Sequence, residues 1–123
     1  MKQAAPITIE NGRIVTTDGV REGSIAMENG VLSEGEMGAG QTVDARGKLI
    51  VPGLVDLGVF AVDKPAFHFG GITRAALMPD QSPPLDLPSR VSYISKSGKP
   101  DFWVHPLAAA TRGLAGQEIA EFA

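Results

Sequence analysis

The stretch LIVPGLVDLGVF, residues 49–60, decides how the chain folds. Pro52-Gly53 punctuates it, and a near-continuous apolar run follows, the pattern of a parallel strand covered on both faces. Two later runs, ITRAALMP (72–79) and DFWVHPLAA (101–109), are of the same type. A helix is predicted between them. It has Asp86 as N-cap, Pro88 in its first turn, Val91 and Ile94 three apart, and Gly98 as its stop. AGQEIAEFA (115–123) predicts another helix, with the chain ending inside it. Strand, helix, strand, helix is the order of an α/β sheet or barrel. A complete (β/α)8 barrel takes roughly 250 residues. Residues 53–123 can hold only its opening units, so the chain reads as the N-terminal piece of a longer protein.

Working back toward the N-terminus, the first 50 or so residues predict a small antiparallel β unit. ITIENGRIVT (7–16) reads as two short strands around Asn11-Gly12, the strongest short hairpin signal. GSIAMENGVLSEGE (23–36) repeats the design around Asn29-Gly30. QTVDARGKLIVPG (41–53) turns at Arg46-Gly47. The expected division is a β domain over residues 1–52 and truncated β/α units over 53–123.

Composition narrows the function. Apolar residues are 43% of the 123 and charged residues 20%, which supports a real core. Fifteen glycines and nine prolines indicate short elements and many turns. With 11 basic and 14 acidic residues the net charge is −3, which argues against nucleic acid or an anionic membrane as partner. The absence of cysteine removes disulfides, thiolate catalysis and cysteine metal sites. MKQAAPITIENG lacks the apolar core of a signal peptide, and no 18-residue apolar run exists, so a cytoplasmic protein is expected.

Most motifs for chemistry fail on spacing. GAGQTV, with Gly38 and Gly40, lacks the third glycine and following helix of a dinucleotide fingerprint and reads as a turn. Gly47-Lys48 and Gly98-Lys99 lack the P-loop spacing, and no GxSxG elbow exists. Asp56, Asp63 and Asp80 lie near strand ends, where carboxylates serve more often as caps and turn formers than as acid/base pairs. His68 is placed in a loop and His105 on a strand. Two imidazoles without thiols fall short of the three or four ligands of a zinc site, although two histidines with a carboxylate remain open.

Three motifs in order point to a family. VPGLVDLGVF, then GGITRAALMPDQSPPLDLPSR, then VHPLAAATRGLAGQEIAEFA resemble dihydroorotase, of the amidohydrolase superfamily, over about residues 50–123. The family pattern runs PG-x-x-D-x-H-x-H, then GG-hydrophobic-T and MPN-x-x-P, then P-hydrophobic-x-A-x-T-(K/R)-G-L-x-G. The resemblance implies a (β/α)8 barrel with a small β domain. It also implies one or two zinc ions activating a water, an Asp base on a late strand, and opening and closing of the cyclic amide of dihydroorotate in pyrimidine synthesis.

Against that pattern the functional positions have changed. Strand alternation places Leu54, Asp56, Gly58 and Phe60 on one face, which a barrel turns inward. The resemblance aligns the family's two metal histidines with Gly58 and Phe60, its substrate-binding Arg with Val62, and the Asn of MPN with Asp80. No metal ligand, substrate group or catalytic residue of the family is intact. The segment AVDKPAFHFGG (61–71) shows no helical pattern, so the barrel's first helix is expected to be missing and Val55, Leu57 and Val59 to lack their cover. The leading expectation is a non-catalytic dihydroorotase-like chain without zinc. It would associate with itself or support a partner such as aspartate carbamoyltransferase. The alternatives are an active metal-dependent cyclic amidohydrolase, with His68 or His105 joined by ligands beyond residue 123, and a fragment inactive by itself.

Overall fold

The computed structural model describes residues 5–35 and 40–122. Gly38 lies outside them. The chain divides into two compact units, Met1–Pro52 and Gly53–Ala123.

In the first unit, β1 (Ile7–Thr16), β2 (Gly19–Glu28) and β3 (Val31–Glu34) form an antiparallel meander. Asn29 and Gly30 both have positive φ, 52° and 79°, as a tight β2–β3 hairpin requires. The other Asn-Gly pair does something different. β1 runs straight through Asn11-Gly12, which forms a bulge between the Ile9–Ile25 and Gly12–Gly23 pairs. The hairpin to β2 turns later, after Thr16. The expected antiparallel unit is therefore a mixed sheet. β4 (Gln41–Asp44) and β5 (Leu49–Ile50) both pair with β1 in parallel, one on each side of the bulge.

The physical reason is that Arg46-Gly47, also in left-handed backbone at 51° and 73°, docks on that bulge. The Gly47 amide donates to the Asn11 carbonyl at 2.7 Å, and Asn11 Nδ2 donates to Asp44 Oδ1 at 3.1 Å. A side chain on Gly12 would overlap Ile50. Gly40 is held in the same way against the Pro6 backbone, a close approach and not a phosphate loop.

The second unit is a three-stranded parallel sheet in the order β6 (Leu54–Val59), β7 (Ile72–Leu77), β8 (Trp103–Pro106). The expected absence of a first helix is corrected here. α1 (Lys64–Gly70) crosses from β6 to β7, with Asp63 Oδ1 accepting the Ala66 amide at 3.0 Å and Pro65 in the first turn. Gly71, at φ 70°, closes it. Gly70-Gly71, which looks like a helix breaker, is the C-terminal cap. His68 consequently stands on a helix, not in a loop.

α2 (Pro88–Ile94) joins β7 to β8, but its N-cap is Leu87 and Ser95 ends it, not Asp86 and Gly98. The expected terminal helix does not form. A 3-10 turn, η1 (Arg112–Leu114), is followed by a return in which Thr111 bridges Ile119 and Gly116 adopts φ 72°. The core joins Phe67 of α1, Ala75 and Leu77 of β7, Val104 of β8, Leu85 in the loop after β7, and Phe102 just before β8. It lies between the sheet and the helices. Among the described residues, no helix is long and apolar enough to cross a membrane.

Candidate functional site

In a parallel α/β sheet the carboxyl ends of the strands carry the chemistry, so the residues there decide what this unit can do. β6 ends in an irregular turn of the strand. Asp56 lies opposite Ala75 and Val59 opposite Leu77, leaving Leu57 and Gly58 as a bulge. Strict alternation from Leu54 to Phe60 does not hold. Asp56 Oδ1 accepts the Gly58 amide at 3.0 Å and steadies the bulge. This carboxylate is engaged with its own backbone.

The other singled-out residues are placed as follows. Gly58 has no side chain to ligate a metal and is exposed. Phe60 is 68% exposed, and its carbonyl accepts from Gln81 Nε2 at 3.1 Å. The same amide group donates to the Met78 carbonyl at 3.0 Å, so Gln81 ties the ends of β6 and β7 together. Val62 is partly buried and packs against the core, as Val59 does. Asp63 is the α1 cap, and Asp80 is exposed in the loop after β7. A glycine, a phenylalanine and a buried-side valine cannot ligate a metal, so the residues at this strand end do not fit zinc.

The histidines do not make up the deficit. His68 projects from α1 on the helix side of the sheet. His105 alternates with the core residue Val104 and so faces the other side, where its Nε2 lies 3.4 Å from Arg74 Nη1. Among the described residues, no three His, Asp or Glu side chains are grouped to hold a metal ion.

One polar cluster in this unit centres on a buried carboxylate, Asp86, and sequence reading missed it. Asp86 is not a cap. Its Oδ2 accepts the Gly113 amide at 2.8 Å, and its Oδ1 pairs with Arg90, whose guanidinium also reaches the Pro84 carbonyl at 3.1 Å. The cluster locks the loop after β7 and α2 to the Thr111–Leu114 turn. Gly113 offers its amide from φ 58°, and Thr111 Oγ accepts the Gly116 amide at 3.1 Å. The TRGL stretch thus helps hold the frame of this unit. A glycine after a basic residue in a non-helical turn was the available sign.

The Gly113 amide, and after it the Arg90 charge, hold the Asp86 carboxyl below its ordinary value, against the opposing effect of burial. A depressed carboxylate adds stability above its unfolded value of about 3.9 and loses it as pH falls through the folded value. Asp86→Asn is therefore expected to lower the melting temperature of this unit at pH 7. The gap to the unchanged protein should narrow in melts recorded as pH is taken below that range. Equal melting at pH 7 would show that the cluster does not stabilise the unit.

Comparison with known proteins places this geometry. No family model matches the chain. The chain is 32% identical to the dihydroorotase of Acetivibrio thermocellus over 92% of its own length and 31% of the relative's. It is 38% identical to that of Pelotomaculum thermopropionicum over 66% of its length and 22% of the relative's. It spans about a third or less of these curated relatives. The first alignment runs over 136 positions, more than the chain's own 123 residues, so the relative carries residues within this span that are absent here. Among solved structures, the L-hydantoinase (dihydropyrimidinase) of Arthrobacter aurescens superposes with a TM-score of 0.72 at 24% identity, covering 87% of this chain and 28% of that one. An N-acyl-D-glutamate deacylase from Bordetella bronchiseptica gives 0.59 at 20% identity. The fold is that of the N-terminal part of an amidohydrolase, and the chain is homologous to dihydroorotases.

Proposed function

We propose that this chain is a non-catalytic dihydroorotase-like protein of the cytoplasm, serving pyrimidine biosynthesis as a structural partner. The observation that carries the reading is the strand end. Gly58 sits in a bulge held by Asp56, Phe60 is an exposed ring, and Val62 is partly buried against the core. Where dihydroorotase has metal and substrate groups, these positions now serve backbone and packing. Asp80 adds a like charge where an anionic substrate would need a neutral or positive group. The rival, an active cyclic amidohydrolase using His68 or His105 with ligands beyond residue 123, would have to draw its other ligands from elsewhere, since no three His, Asp or Glu side chains are grouped among the described residues.

The surface supports a binding role. β6 leaves Leu57 80% exposed in its bulge, and Val55, opposite Arg74 on the helix-free side, is also exposed. Phe69 on α1 is 94% exposed. Open parallel strands with apolar side chains seek cover. The occupant proposed is a second copy of the chain or aspartate carbamoyltransferase. Light scattering, with the chain alone and mixed with aspartate carbamoyltransferase, is expected to find species well above the 12.9 kDa of one chain. A well-dispersed monomer under both conditions at high concentration would refute the binding role.

A further inference from the structure

A second feature lies away from the strand end just described. β7 and β8 pair with Arg74 opposite Trp103 and Ala76 opposite His105. These residues alternate with Ala75, Leu77 and Val104, which are buried under the helices. Arg74, Trp103 and His105 therefore share the helix-free face of the sheet. In a closed barrel that face is packed with branched apolar side chains. Here it carries a guanidinium, an indole and an imidazole, all of them exposed.

Lys99, in the turn leading into β8, completes the group. Its Nζ lies 4.0 Å from the Trp103 ring centre, and Arg74 Cζ lies 5.4 Å from it. Both are within cation–π range, so one ring gathers two cations. Arg74 also points Nη1 at His105 Nε2. A guanidinium can only donate, so this contact uses the imidazole as acceptor.

What the group lacks is a carboxylate. Of the three arginines in residues 53–123, Arg90 pairs with Asp86, and Arg112 pairs with Glu118 and Glu121. Lys64 pairs with Asp101. Among the described residues, Arg74 and Lys99 have no ion pair, although the chain is acidic as a whole. Cation–π contact holds the two charges in place without neutralising them. Their remaining N–H donors are free to converge on an outside acceptor, and oxyanions suit such donors best.

We propose that Arg74, Lys99 and His105, arranged around Trp103, bind a small oxyanion, a carboxylate or a phosphate. The site is separate from the Gly58–Asp80 strand end and does not depend on the function proposed there.

Trp103 is the chain's single tryptophan, so its fluorescence reports this site alone. The purified chain is titrated with inorganic phosphate and, separately, with malonate, at ionic strength held constant with chloride. A saturable change is expected for at least one of them, and the one that saturates identifies the ligand class. Arg74→Gln should abolish the saturation. Lys99→Gln, on an exposed turn where folding is not at stake, should weaken it by about tenfold, the effect of one charge-assisted contact. Circular dichroism checks that both variants keep the fold. Linear responses matching chloride for both anions, or saturation unchanged in both variants, would overturn the proposal.

Discussion

Phe102→Ala is expected to unfold the C-terminal unit or leave it barely stable. The ring is 1% exposed and meets Phe67 edge-on, with centres 4.9 Å apart. Through that contact β8's entry is joined to α1, while Leu77 and Val104 close the same core from the sheet. Removing a buried phenyl ring costs about 3–5 kcal/mol, the lost transfer energy plus the cavity left behind. Domains are stable by roughly 0.05–0.15 kcal/mol per residue, so a unit of this size has little more than that to lose. The backbone gives no relief, because Gly98 lies directly against Phe102 and both amides after it, Asp101 and Phe102, donate to its carbonyl. Urea unfolding followed by circular dichroism measures the loss. Tyr93→Ala, at a ring 77% exposed on α2, serves as control and should shift stability by about 0.5 kcal/mol or less. Similar midpoints for the two variants would mean that this core does not hold the unit together.

The second large effect concerns activity. Gly58→His with Phe60→His is expected to leave dihydroorotate turnover at background, even with zinc supplied. Metal ligands work only when their ring nitrogens are aimed by surrounding groups. Here β6 is bulged at Leu57-Gly58, and the Asp56 carboxylate that could orient a neighbour is occupied by the Gly58 amide. Substrate binding is expected to fail separately. Val62 is packed against the core and offers no donor. A charge-assisted contact to a carboxylate contributes roughly 1.5–3 kcal/mol, so its loss alone weakens binding by tenfold or more. Asp80 adds repulsion to that. Two substitutions would restore nitrogen atoms without restoring a site.

The outcome also shows what the residues disclosed. The asparagine of both Asn-Gly pairs adopts left-handed backbone, with φ 54° at Asn11 and 52° at Asn29, but only at the second does the glycine follow, with φ 79° at Gly30. Only Asn29-Gly30 makes a hairpin. At Asn11-Gly12 the decision belongs to a segment more than 30 residues away, which docks Gly47 on the bulge. Local conformation was legible there, and the pairing was not. The parallel strands were legible because an apolar run after Pro52-Gly53 has few other uses. α1 escaped because its seven residues are too short for a helical period, although Asp63, Pro65 and Gly71 mark its ends. The terminal segment was misread for the opposite reason. AGQEIAEFA has helical residues, but the Arg112 amide to Glu118 carbonyl and Ala120 amide to Ala110 carbonyl bonds fold it back. At the strand end, Gly58 and Phe60 already excluded ligation by their chemistry. Val62 packing against the core, and Asp86 reaching Gly113, needed the packed structure to be seen.

The most direct test measures zinc and turnover together, on the unchanged chain and on the Gly58→His, Phe60→His variant. Both are incubated with zinc, desalted, analysed for metal, and assayed for ring opening of dihydroorotate. The account predicts no stoichiometric zinc on the unchanged chain and no turnover above background from either protein. About one zinc per unchanged chain, or clear turnover from the variant, would contradict the claim that metal binding and substrate binding have both been lost.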